Sequence, residues 1–245
     1  MGTSDFNVRA VASALPFRLG VVRTESQLSA ICQVRCRAYT RHLPEFGAKL
    51  AKPEDIDTAP GSLTLFIQDK LTQEIIGTAR LQTNLAGALG INSDIELPEW
   101  LLRAPSAEIT RFAVLPAYSN SQKLISKVLV KACYHYCFAT QINWLVIGSR
   151  RSLVKWYHSM GFTELDGLKD FFKLLHTGNL LHKLLVLDVV AAERNWFTSA
   201  NIDYDFIFRT HHPDIELFSS LSGMWTRPRQ SNRTAVIFEQ PFPIV

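Results

Sequence analysis

The chain has 245 residues, 47% hydrophobic and 20% charged, so it can bury one large core. A formal charge of +4 without a long basic run argues against nucleic acid and suits a mildly acidic partner, such as an acidic carrier protein or a phosphate-bearing ligand. No segment is apolar and long enough to span a bilayer, since Lys183 and Asp188 interrupt Leu180 to Ala192. AVASALPF is too short for a secretory signal, and Phe6 stands where a myristoylation site needs Ser or Thr, so a cytoplasmic location is expected.

In chain order, residues 1–16 read as an irregular leader, residues 17–192 as the main domain and residues 193–245 as an aromatic-rich C-terminal extension. Phe17 to Val22 predicts a first strand. Thr24 and Gln27 then form a capping box that starts a helix running to about Tyr39. Arg41 to Pro60 is mixed and proline-bearing and reads as an ordered loop, a length that hints at function. SLTLFIQD and EIIGTARLQT predict an antiparallel hairpin, and Leu97 to Leu102 a short helix. AEITRFAVLP (107–116) follows as a strand, then an amphipathic helix over Gln122 to Ala139 with an apolar stripe from Leu124 to Tyr136. Trp144 to Ser149 reads as a buried strand, SLVKWYHSMGF as a short helix ending at Gly161, and LLVLDVV as a last strand. This order predicts an α/β domain with mixed connections. The tail carries Trp196, Phe197, Tyr204, Phe206 and Phe208 and closes in SGMWTRPRQSNRT, an irregular stretch.

The four cysteines form two i, i+4 pairs, Cys32/Cys36 and Cys133/Cys137. That spacing marks helix faces rather than the knuckles of a structural zinc site, and buried thiols are the expected reading.

Four charged groups sit in otherwise apolar elements. Arg35 lies on the buried-looking face of the first helix, Arg80 in the strand GTARL, and Glu108 and Arg111 in EITRF. Side chains alternate along a regular strand, so 108 and 111 share a face only if a bulge intervenes. Three arginines against one strand carboxylate leave positive charge that further acids must offset, and the loop PEDID offers Glu54, Asp55 and Asp57.

The runs VRCRAY, PEDID, IIGTARL and AEITRFAV together resemble the long-chain N-acyl amino acid synthases and the related acyl-homoserine-lactone synthases, two branches of the GNAT acyltransferase superfamily. The shared pattern falls on Arg35 and Tyr39, Glu54 and Asp57, Gly77 and Arg80, and Glu108 and Arg111, in order across residues 30–165. SLVKWYHSMGF is similar to the GNAT segment that places an aromatic at Tyr157 before Gly161 and Phe162. The resemblance implies a GNAT α/β (α+β) fold: a mixed, mostly antiparallel sheet flanked by helices, here with a C-terminal extension.

Two departures shape the functional expectation. GNAT enzymes cradle the coenzyme A pyrophosphate with a glycine-bearing loop at a helix start, because backbone N–H groups there bind phosphate and glycines permit close approach. Ala117 to Leu124 (AYSNSQKL) has no glycine and no arginine, which disfavours coenzyme A and favours an acyl-phosphopantetheine carried on acyl carrier protein. Lys123, Lys127, Lys131, Arg150, Arg151 and Lys155 supply positive charge for docking that carrier. The lactone synthases carry a Trp between the helix arginine and the acid pair; TRHLPEFGAKLAK has none, and Glu54 takes the place of an Asp.

The resemblance thus implies transfer of a fatty acyl group from acyl carrier protein to an amino acid amine, with no metal or redox cofactor. Alternatives are a lactone synthase and a non-catalytic acyl- or carrier-binding module. In the implied mechanism Glu108 is the base and Arg111 and Tyr157 assist, Tyr157 by protonating the leaving thiolate. Arg35, Tyr39, Glu54, Asp57, Arg80, Phe112 and Val114 form the substrate site, the arginines holding the acceptor's carboxylate or the acid loop. Backbone N–H groups of residues 112–114 are candidate oxyanion donors. The helix stripe with Trp144, Val146, Leu153 and Trp156 is the candidate lining for the acyl chain.

Overall fold

The computed structural model describes residues 11–168 and 170–218. The elements are β1 (Val11–Ala12), β2 (Phe17–Val21), α1 (Glu25–Thr40), α2 (Pro44–Lys49), β3 (Ser62–Asp69), β4 (Ile75–Thr83), α3 (Glu99–Arg103), β5 (Ser106–Val114), α4 (Gln122–Ala139), β6 (Trp144–Arg150), α5 (Val154–Ser159), β7 (Thr163–Glu164), β8 (Phe171–Leu174), β9 (Leu180–Asp188), α6 (Ala192–Thr198) and β10 (Thr210–His211). Eight strands form one sheet in the order β2-β3-β4-β5-β6-β9-β7, with β8 also paired to β9. Every pairing in it is antiparallel except β5 with β6. That parallel pair needs a long crossover, and α4 is the crossover.

The β5–β6 register ends at Ile109 opposite Ile147, although β5 continues to Val114 and β6 to Arg150. The two halves of the sheet therefore diverge at its centre. On one face, the α4 stripe (Ile125, Val128, Leu129, Cys133) packs on Leu81, Ile109, Leu145, Ile147 and Leu185 to make the main core. A second cluster on the opposite face gathers Leu89, Ile91, Leu101, Val146, Leu184 and Val186. Among the described residues, no helix is long and apolar enough to cross a membrane.

The Thr24–Gln27 capping box is present, and α4 spans the expected Gln122 to Ala139. Cys32, Cys133 and Cys137 are buried, Cys36 is half-buried, and all four thiols are free. Several expectations need correction. Residues 41–60 are not simply loop: Pro44, with no amide hydrogen to lose, starts α2, and Asp55–Asp57 form a 3₁₀ turn. The end of the leader is ordered, with β1 pairing β10 in parallel, Ser13 N donating to His211 O at 2.9 Å and Leu15 buried. LLVLDVV is not the last strand, since β10 follows it, and the short β7 and β8 escape any side-chain pattern. In the extension, Trp196, Ile207 and Leu217 join the main core. SGMWTRPRQSNRT lies outside the described residues.

Candidate active site

The loop after α2 brings its two acids under α1 and β4. Arg35 Nη1 donates to both oxygens of Asp57, at 2.8 and 2.9 Å. Arg80 Nη1 reaches Asp57 Oδ1 and Glu54 Oε2, each at 3.0 Å, while its Nε donates to Thr110 Oγ1 at 3.0 Å. Arg111 grips Glu54 with a two-pronged fork, its Nε lying 2.6 Å from Oε2. The 3₁₀ turn holds itself in place, because Glu54 N donates to Asp57 Oδ2 at 2.9 Å. Burial pulls the Glu54 carboxyl upward, but the Arg111 fork and the charges of Arg80 and Arg35 outweigh it and hold it at about 2. Three guanidiniums thus share two carboxylates, all of them buried except Glu54, which is half-buried.

β5 is bulged where the shared-face condition requires it. Thr78 faces Ala113 and Arg80 faces Thr110, so Ala79 stands against both Arg111 and Phe112. Arg111 takes φ 51°, in the left-handed region that residues bearing a Cβ seldom visit. The extra residue turns Arg111 onto the face of Arg80, where it meets Glu54. Its guanidinium also lies 5.2 Å above the Phe46 ring of α2. Glu108 is on that same face: it stands opposite Gln82 on β4, and its Oε2 accepts from Ile91 N at 3.0 Å.

A cleft of about 290 Å³ opens where β5 and β6 part. Tyr39, Glu108, Arg111, Phe112, Val114, Arg150 and Tyr157 all line it. Of the expected substrate contacts, Arg35, Asp57, Arg80 and Glu54 stand behind that wall, in the ion-pair network, so the arginines hold the acid loop. Tyr39 O–H donates to Phe112 O at 3.4 Å. Burial raises the Tyr39 hydroxyl pKa, against the lowering pull of Arg111, Arg35, Arg80 and Arg150. Burial drives the Tyr157 hydroxyl far above the ordinary phenol range, so it keeps its proton.

The acyl-chain lining needs correction. The α4 stripe and Val146 are core, Trp144 packs on Trp100, Trp156 packs beside the cleft against Phe112, and of the named residues Leu153 lines the cleft. The docking cations also divide. Lys123 and Lys155 are exposed. Lys127 is paired with Asp203 at 2.6 Å, and the exposed Arg151 lies 4.2 Å over Phe171. Lys131 is not available at all: it is buried and donates to the carbonyls of Phe206 and Thr210, both at 2.6 Å. Arg150 faces the cleft.

His182 also lines the cleft, and sequence reasoning missed it because it sits beside Lys183 as an ordinary polar interruption of an otherwise apolar strand. Its Nδ1 lies 2.9 Å from Leu180 O, and a carbonyl only accepts, so Nδ1 carries the proton. Thr177 spends its own hydroxyl proton on Leu174 O, so at 3.3 Å its oxygen can only accept from that same Nδ1. The basic nitrogen of the neutral ring is therefore Nε2.

A sheet parted between a parallel central pair, with a carboxylate and a retained phenol in the gap, defines an acyltransferase of the GNAT type. The family model "N-acyl amino acid synthase FeeM" matches residues 30–181, and the chain belongs to that family, whose chemistry is N-acyl transfer. Among solved structures it is similar to FeeM, an N-acyl amino acid synthase from uncultured soil microbes, at 17% identity and TM-score 0.57, covering 78% of this chain and 97% of that one. It is also similar to the CoA-dependent acyl-homoserine lactone synthase BjaI at 13% identity and TM-score 0.54, covering 80% and 93%. A putative GNAT-family acetyltransferase from Desulfovibrio desulfuricans aligns at 14% identity and TM-score 0.50, covering 71% and 99%. Among curated protein sequences, none matches this chain.

Proposed function

We propose that the protein transfers a long-chain acyl group from the phosphopantetheine thioester of acyl carrier protein to the amine of an amino acid. The observation that carries this reading is the cleft at the β5–β6 gap, where Glu108 and Tyr157 face the same space. The amine nitrogen attacks the thioester carbonyl carbon and Glu108 takes a proton from it, directly or through a water. Main-chain N–H groups of 112–114, on the edge of β5 beyond its pairing with β6, stabilise the oxyanion. The C–S bond then breaks. Tyr157 donates a hydrogen bond to the departing sulfur, and the proton held by Glu108 leaves with the thiol. Arg111 acts as a positioning residue, fixing the bulge through Glu54.

The donor assignment rests on the turn before α4, Pro116–Ser121, which has no glycine to let a pyrophosphate approach, and on the exposed Lys123 and Lys155. BjaI is CoA-dependent, so the two donors are compared directly. Purified protein is given dodecanoyl-acyl carrier protein or dodecanoyl-CoA with the twenty protein amino acids, and products are read by mass spectrometry. An N-dodecanoyl amino acid formed faster from the carrier protein is expected. Glu108→Gln should lower kcat by about 10²–10⁴-fold. Unchanged turnover in that variant removes the assigned base, and absence of any N-acyl amine from either donor sinks the reading as a whole.

A further inference from the structure

The amino acid acceptor brings a carboxylate as well as an amine, and the arginines first expected to bind it are engaged. Arg35, Arg80 and Arg111 are all committed to Glu54 and Asp57. Arg41 and His42 are on the cleft wall but exposed, where water and salt weaken their pull. Arg150 is different. It is half-buried, it ends β6 inside the cleft, and among the described residues no carboxylate lies within ion-pair distance of it.

Its placement follows from register. Glu108 pairs with Val146, and Val146, Gly148 and Arg150 alternate onto one face of β6. Arg150 in turn stands opposite His182 on β9. The base and the guanidinium therefore look into the same side of the gap, about 13 Å apart in strand level at the usual rise. Both side chains line the one cleft. Gly148 lies between them and keeps the floor low: a Cβ there would come within 2.6 Å of Leu174 Cδ1 and 3.6 Å of His182 Cβ. The charge of Arg150 already reaches the Tyr39 hydroxyl across the cleft.

We propose that Arg150 receives the carboxylate of the acceptor, so that the cleft selects a free amino acid over amines that lack a carboxylate. A guanidinium partly removed from water without a counter-ion is costly, and a bound carboxylate offsets that cost through a bidentate pair. The inference rests on the N-acyl transfer reading and adds to it the residue that reads the acceptor. It also separates Arg150 from carrier docking, because a docking residue acts on the donor.

The test uses the full-length protein with dodecanoyl-acyl carrier protein. The acceptors are whichever of the twenty protein amino acids is acylated and the carboxamide of that same amino acid. Arg150→Gln should raise KM for the amino acid by about 10- to 100-fold, leave KM for the donor within about twofold, and leave kcat/KM for the carboxamide at the wild-type value. Arg150→Lys should recover part of the loss, since it restores charge without the fork. A rise in donor KM with acceptor KM unchanged overturns the proposal in favour of carrier docking. An equal loss on acid and carboxamide overturns it in favour of a purely structural role. If the wild-type protein acylates no amino acid, the parent reading falls and this one with it, whereas product without acid-over-amide preference removes this one alone.

Discussion

On the α4 face of the sheet the packing is almost wholly apolar, and the buried cation Lys131 is satisfied there by two backbone carbonyls from the C-terminal segment. The α1 face carries Arg35, Arg80, Arg111, Asp57, Glu108 and His182, all buried, with Glu54 half-buried beside them. The first face supplies stability through area removed from water. The second costs desolvation at each ion and is held only because every arginine in the network meets a carboxylate. The difference assigns roles: α4 makes the platform, and the acid loop fixes a bulged strand whose next residues line the cleft.

Breaking one charge on the second face should have the largest effect. Asp57→Ala leaves Arg35 and Arg80 facing each other with Glu54 alone, and a loss of about 3–5 kcal/mol in unfolding free energy is expected by urea titration. A variant as stable as wild type would mean that water replaces the carboxylate and that the network is not structural.

On the platform face, Leu129→Ala should cost roughly 2–5 kcal/mol, as for any well-packed core leucine. Turnover per folded molecule should remain at the wild-type level. A selective fall in kcat there would show that the two faces are coupled.

A subtler separation comes from pH. Glu54 is held at about 2 in the fold against an ordinary 4.5. With the folded value below the unfolded one, its pairing stabilises fully above about pH 4.5 and is lost as pH falls towards 2. Unfolding free energy should decline across that window by at most about 3 kcal/mol, and Glu54→Gln should flatten the decline. Equal slopes for the two proteins would dismiss the Arg111–Glu54 fork as the acid-sensitive element.

The smallest change is expected from Lys131→Met, which removes the donor to Phe206 O and Thr210 O. A loss of about 1–2 kcal/mol, with faster amide exchange confined to 205–211 and unchanged cleft kinetics, would keep this attachment apart from the site.

Much of this was legible in the residues. The capping box at Thr24 and Gln27, the apolar stripe of α4 and the β3–β4 hairpin rest on local periodicity and capping chemistry, which the chain carries within a few residues. The acids that balance Arg35, Arg80 and Arg111 were visible as PEDID, because buried guanidiniums demand partners. The bulge was visible as a condition: Glu108 and Arg111 are three apart and cannot share a face of a regular strand.

What the chain did not disclose locally depends on neighbours far away in sequence. β1 and β10 are held by main-chain pairing over some two hundred residues, and no side-chain period records that. Lys131 looked like a solvated helix face until the segment ending at Thr210 covered it. Arg150 looked like surface charge, and His182 carried no signal of its own. They share a cleft with Glu108 because β5 and β6 pair as far as Ile109 and Ile147 and then part. Composition and periodicity determined the elements and the need for compensated charge. The divergence of two central strands, a property of the whole sheet, decided which of those charges meet in a cleft.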